Sequence, residues 1–162
     1  MDHKLQAVAV PHNLQRQPTS FIGRDQEIQD VIHRLSEPGC QLLTFVGVGG
    51  IGKTRLALEV AQRIGGLYPD GVYFVTLQPL RSAAFIPTAI VHALGLPLRD
   101  TDTPQQQLVA YLRDRRLLLI LDNFEHLIDG AALAADLLAA APGLRILVTS
   151  REALNLREEW LW

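Results

Sequence analysis

Eight residues constrain this chain more than any others: Gly47-Val48-Gly49-Gly50-Ile51-Gly52-Lys53-Thr54. A short apolar run, Gln41 to Val46, leads into them, and a helical pattern follows with Leu56, Ala57, Val60 and Ile64 on one face. The glycines let the backbone curl until successive N–H groups point at one place, with no Cβ blocking close approach. The helix that starts there adds partial positive charge at the same point. The spacing G-x-x-x-x-G-K-[ST] between a strand and a helix is therefore a phosphate cradle. Lys53 is expected to reach the β- and γ-phosphates as a point charge, and the Thr54 hydroxyl to ligate Mg²⁺. The chain has 15 basic residues but only two lysines, Lys4 and Lys53, and one of the two falls in the required place. A shuffled chain would meet the pattern about once in a thousand tries, so chance is a poor explanation.

The remaining sequence alternates strand and helix. Residues 1–19 have weak periodicity, two prolines and several glutamines, and read as an N-terminal tether, with order beginning near Ser20. Ile28, Val31, Ile32 and Leu35 share one face of a helix over 25–36, ended by Pro38-Gly39. Val72 to Thr76 reads as a strand and Phe85 to Leu94 as a helix. Thr103-Pro104 opens another helix to about Arg113 with a cap and a proline at its first position. Leu117 to Leu121 is an unbroken aliphatic run, as in a parallel strand buried on both faces. A helix over about 129–141 and a strand over 144–149 complete the pattern. An α/β domain with a mainly parallel sheet and right-handed crossovers follows.

Bulk properties exclude several classes. At 162 residues the chain is about one domain, and 48% apolar with 20% charged residues is ordinary for a globular protein. A net charge of −2 leaves no electrostatic footprint for nucleic acid or an anionic membrane. One cysteine, Cys40, excludes an internal disulfide and a multi-cysteine metal site. No apolar run nears the ~18 residues of a membrane span, and no signal-peptide core is present. The expected setting is cytoplasmic.

Beyond the loop, the strand Leu117 to Leu121 ends in Asp122. Ligands of open α/β sheets sit at the carboxyl ends of the strands, so Asp122 is expected near Thr54, serving Mg²⁺. Asp also follows strands as a simple turn residue. Glu125 is the nearby carboxylate suited to orient an attacking water, and a solvent-facing residue at a helix start is the equal alternative. His126 reads as a surface or capping residue.

With these residues together, the sequence resembles the NB-ARC branch of the STAND signal-transduction ATPases, in the bacterial form found in multidomain transcriptional regulators. Four segments carry the resemblance: Thr19 to Asp25 (TSFIGRD, like the family's hhGRE motif), Gly47 to Thr54 (GVGGIGKT), Leu118 to Leu127 (LLILDNFEHL) and Ile146 to Glu152 (ILVTSRE). The resemblance implies a three-layer P-loop NTPase fold, incomplete at the C-terminus, over residues 20–162. It implies ATP or ADP as ligand, with Ile22, Gly23 and Arg24 on the adenine side. Gly47 and the run Gly49, Gly50, Ile51, Gly52, Lys53, Thr54 and Arg55 would wrap the phosphates. Asp122 would serve Mg²⁺, and Arg151 would sense the γ-phosphate, a task its fork geometry suits. A surface ion pair with Glu152 or Glu158 is the other reading of Arg151.

Two departures qualify this. Asn123 stands where other branches carry a second carboxylate, which lowers the expected rate of hydrolysis, and Asp25 replaces the motif's Glu. The chain also reaches only Trp160-Leu161-Trp162, expected to fall inside a strand flanking the P-loop strand, so it reads as part of a longer protein. The implied function is a regulatory switch that holds ADP at rest, exchanges it for ATP and self-associates or engages other domains of its parent. Slow Mg²⁺-dependent hydrolysis, a weak ATPase at most, would reset it. A small P-loop kinase and a non-hydrolysing scaffold are the alternatives. The basic cluster Arg113, Arg115 and Arg116 suits a connecting loop better than a kinase lid, and intact Lys53, Thr54 and Asp122 argue against a scaffold.

Overall fold

The computed structural model describes residues 10–162. Ten regular elements follow in the order α1 (Asp25–Ser36), β1 (Leu42–Val46), α2 (Lys53–Ile64), β2 (Val72–Thr76), α3 (Ile86–Ala93), α4 (Pro104–Leu112), β3 (Leu117–Asp122), α5 (Ala132–Ala140), β4 (Leu144–Ser150) and β5 (Glu159–Leu161). All five strands are parallel, in the spatial order β2-β3-β4-β1-β5.

Strand periodicity builds the layers. Along β3, Leu117, Leu119 and Leu121 face one side and Leu118 and Ile120 the other. The first side packs against α3, α4 and α5 through Ile86, Ile90, Leu108, Leu112 and Leu137. The second packs against α1 and α2 through Ile28, Val31, Leu35, Leu56 and Val60. Every residue of β3 is buried, as a central parallel strand requires. The result is the three-layer P-loop NTPase architecture. Thr103 accepts from the Gln106 N–H while the Gln106 side chain returns to the Thr103 N–H, a capping box that starts α4 at the expected residue.

Two regions differ from the sequence reading. The helix expected from about residue 129 begins at Ala132, because residues Glu125–Gly130 form tighter 3-10 turns with a break at Leu127 (φ −125°, ψ 25°). Burial of Leu127 and a 3.0 Å contact of His126 Nε2 with the Leu80 carbonyl hold that path. The second is the tether. Residues 1–9 lie outside the described residues, but residues 11–13 lie on the outer edge of β2. His12 bridges Val72 in parallel, and the Val72 N–H donates to the Pro11 carbonyl. The Asn13 side chain accepts from the Phe74 N–H at 2.7 Å and donates to its carbonyl at 2.8 Å. An edge strand leaves backbone groups open, and this segment fills them. Where the sequence reads a free tether, this stretch is paired to the sheet.

β5 pairs with β1, so Trp160 to Trp162 do run beside the P-loop strand. Among the described residues no helix is long and apolar enough to cross a membrane.

Candidate functional site

The sheet order decides which residues can meet. β4 lies between β1, which feeds the phosphate loop, and β3, which ends in Asp122. The ends of β1, β4 and β3 therefore stand side by side at the carboxyl edge, with the start of α2 above them. A cleft of about 460 Å³ opens there, lined among others by Gly49, Lys53, Thr54, Asn123, Glu125 and Arg151.

Gly52 is the residue before α2 and has φ +88°, a left-handed conformation that a side chain would strain. It turns the loop so that α2 begins at Lys53. The Lys53 ammonium folds back over the loop and donates to the Gly47 carbonyl at 2.5 Å and the Val48 carbonyl at 2.9 Å. Those bonds hold the curl that a phosphate would occupy. At the first turn of α2, Thr54 Oγ1 donates to Asp122 Oδ1 at 2.7 Å. The expected meeting of loop and strand-end carboxylate is present, across 68 residues of sequence.

Asp122 has a second partner that the sequence reading did not single out. Thr149, the penultimate residue of β4, donates its hydroxyl proton to the same Oδ1 at 2.6 Å. That hydroxyl also accepts from the Asn123 N–H at 3.0 Å. Asn123 takes φ +65°, unusual for a residue with a side chain, and its Nδ2 donates to Glu125 Oε1 at 3.3 Å. Glu125 is mostly buried, its Oε2 has no partner among the described residues, and its Oε1 lies 3.8 Å from Arg151 Nε. Glu125 thus stands at the first residue of the 3-10 segment with its side chain 22% exposed at the cleft wall. Arg151 pairs with Glu125, with neither Glu152 nor Glu158, and its guanidinium covers Gly49 so closely that a Cβ there would sit 3.0 Å from it.

A second recess of about 270 Å³ lies on the other flank of the loop, lined by Arg24, Glu27, Phe45, Val46, Ile51, Lys53, Leu56 and Trp162. Arg24 forms a two-point ion pair with Glu27, one bond at 2.6 Å, and reaches the Ile51 carbonyl at 3.4 Å. Glu27 accepts in turn from Trp162 Nε1 at 3.5 Å. The Arg24 hydrogen bond holds the Glu27 carboxyl below its ordinary range, against a smaller effect of burial, and Glu27 raises Arg24 reciprocally. Of the residues expected on the adenine side, Arg24 lines this recess, Gly23 is the left-handed turn before it, and the Ile22 side chain is 87% exposed. Arg55 lines the main cleft, but its guanidinium is engaged with Thr19, with Glu59 at 3.3 Å and with the Phe21 ring at 5.5 Å. It fastens the segment before α1 to α2.

Oxygen donors fit Mg²⁺: the Thr54 hydroxyl and the Asp122 carboxylate lie together, and both hydroxyl partners take Oδ1, leaving Oδ2 to neither. No group of three or more His, Cys, Asp or Glu that could hold a metal occurs among the described residues. The donor set is the sparse one Mg²⁺ uses when phosphates and waters complete its shell.

A glycine cradle at a helix start, a lysine over it, and a strand-end aspartate on its threonine define a nucleotide-binding P-loop domain. The NB-ARC domain family matches residues 24–155, and the chain belongs to that family. An uncharacterised protein of Mycobacterium tuberculosis (strain ATCC 25618 / H37Rv) is 38% identical over 156 residues, covering 96% of this chain and 39% of the relative. A protein of the same strain named as an HTH-type transcriptional regulator is 40% identical over 123 residues, 75% of this chain and 14% of the relative. Regulatory protein AfsR of Streptomyces griseus is 32% identical over 152 residues, 87% and 15% respectively. The chain thus spans well under half the length of these relatives. Among solved structures, Cdc6p from Pyrobaculum aerophilum superposes with a TM-score of 0.64 at 19% identity, covering 86% of this chain and 42% of that one. The ADP form of the Aeropyrum pernix ORC2 protein gives 0.59 at 21% identity, with 90% and 44% covered. These two are likenesses of fold.

Proposed function

We propose that this domain is the ADP/ATP switch of a larger cytoplasmic regulator, with slow Mg²⁺-dependent ATP hydrolysis as its reset. The observation that carries the reading is the convergence of Lys53, Thr54 and Arg151 on one cleft beside the phosphate loop, with Asp122 hydrogen-bonded to Thr54. The phosphates take the N–H groups of Gly49 to Thr54, and Lys53 exchanges its carbonyl partners for phosphate oxygens. Thr54 and Asp122 would hold Mg²⁺, which would supply charge neutralisation to the bound phosphates. Arg151 meets the γ-phosphate and leaves Glu125, whose carboxylate then orients water. Asn123 in place of a second carboxylate favours slow turnover, as a switch needs. Residues 20–162 act as the nucleotide unit, and the remaining length of the relatives supports a role beside other domains or other copies.

Calorimetric titration with ADP and with ATP, each with and without Mg²⁺, tests this. The expected result is binding of both, tighter for ADP, and hydrolysis far below the ~10 s⁻¹ of a dedicated enzyme. A folded chain that binds neither nucleotide, or turns over at that rate, overturns the reading.

A further inference from the structure

We propose that Thr149 is a positioning residue for the metal-bearing end of the site: it sets the part of nucleotide affinity that depends on Mg²⁺. The inference rests on the nucleotide-switch reading and adds to it a residue at the cleft wall that acts through Asp122 and Asn123.

The hydroxyl of Thr149 has one proton, and it goes to Asp122 Oδ1 at 2.6 Å. Its lone pair takes the Asn123 N–H at 3.0 Å. The Thr149 carbonyl also accepts from the Phe124 N–H, so one residue of β4 binds three successive residues at the end of β3 through both side chain and backbone. Thr149 is 1% exposed and Asp122 4%, so water does not replace these bonds easily. The consequences follow from hydrogen-bond directions. With Oδ1 taken by two hydroxyl protons, the Asp122 carboxylate has one rotation about its last bond, and Oδ2 is the oxygen left for a cation. With its own proton spent on Asp122, the Thr54 oxygen offers only lone pairs to the cleft, the correct polarity for a metal ligand. The bond to Asn123 also pins its left-handed turn, which brings Nδ2 to Glu125 and so ties the aspartate to the Glu125–Arg151 pair.

Partners that orient a metal's ligands typically govern metal affinity by about 10- to 100-fold. The test is titration of the chain with ADP in Mg²⁺ and with ADP in EDTA, for wild type, Thr149→Val, Thr149→Ala and Thr149→Ser. Val preserves shape, and Ala removes the hydroxyl without pressing a methyl on Asp122. Both are expected to lose about tenfold in ADP affinity with Mg²⁺ and to match wild type in EDTA. Ser keeps the hydroxyl and is expected to keep the Mg²⁺-dependent gain. Equal losses with and without Mg²⁺, or Val and Ala titrating like wild type, overturn the role of Thr149 and leave the switch intact. A folded wild type that binds no ADP overturns the switch reading, and this role with it.

Discussion

Thr44 and Thr149 lie on neighbouring strands, one register step apart, since Thr44 pairs with Val148 and Thr149 with Phe45. Both are buried, at 0% and 1% exposure. Thr149 has its hydroxyl fully engaged by Asp122 and Asn123, whereas the Thr44 hydroxyl has no partner among the described residues. The middle of this sheet is built for burial, and a polar atom there is a cost of about 1–3 kcal/mol. The carboxyl edge is built for polar convergence, and there the same hydroxyl becomes an organiser. Two neighbouring strands carry the two regimes one register step apart.

The two regions respond to different probes. The largest effect belongs to the middle. Leu119→Ala opens a cavity under a fully buried side chain and is expected to cost about 3 kcal/mol of stability in denaturant unfolding. The affinity of the folded fraction for ADP should not change. Lys53→Ala does the reverse. It removes a charge-assisted contact worth about 2.7 kcal/mol, or roughly a hundredfold in nucleotide affinity by calorimetry, with circular dichroism unchanged. Smaller, and opposite in sign, is Thr44→Val. Replacing an unpaired hydroxyl with a methyl is expected to raise stability by about 1 kcal/mol without touching nucleotide binding. A destabilised Thr44→Val chain would mean that the hydroxyl has a partner, and the contrast with Thr149 would fail.

The same division governs what the sequence made legible. Elements of the middle came from period alone: the aliphatic run of β3 and the helical faces of α1 and α2 lie where the pattern puts them. Half of the site was also legible, because Gly47 to Thr54 is local and its spacing has a chemical meaning. Thr149 was not, since a threonine near the end of a strand looks the same whether orphaned or bonded until the strand order sets β4 beside β3. Glu27 and Trp162 were hidden by distance, being 135 residues apart and joined only through the placement of β5. Residues 11–13 lacked hydrophobic periodicity because they meet the sheet through backbone and one asparagine.

The smallest expected effect is a pH dependence confined to the Arg24–Glu27–Trp162 cluster. Arg24 holds the Glu27 carboxyl below its ordinary value of 4.5, and Arg24 is itself raised, far outside any working range. A depressed carboxylate stabilises the fold fully above its unfolded value, and that contribution is lost as pH falls through the lowered folded value. Thermal melting of wild type and Glu27→Gln should therefore differ by a constant gap from pH 7 down to about 5. Below 4.5 the gap should close, as Glu27 takes up a proton and Arg24 and the Trp162 N–H face a neutral partner. Because both side chains are about a third exposed, solvent screens the pair and the gap is small. Its pH profile identifies it where its size does not. A gap that persists unchanged below 4.5 would assign the loss in Glu27→Gln to packing, and would leave Arg24 reaching the Ile51 carbonyl without help from Glu27.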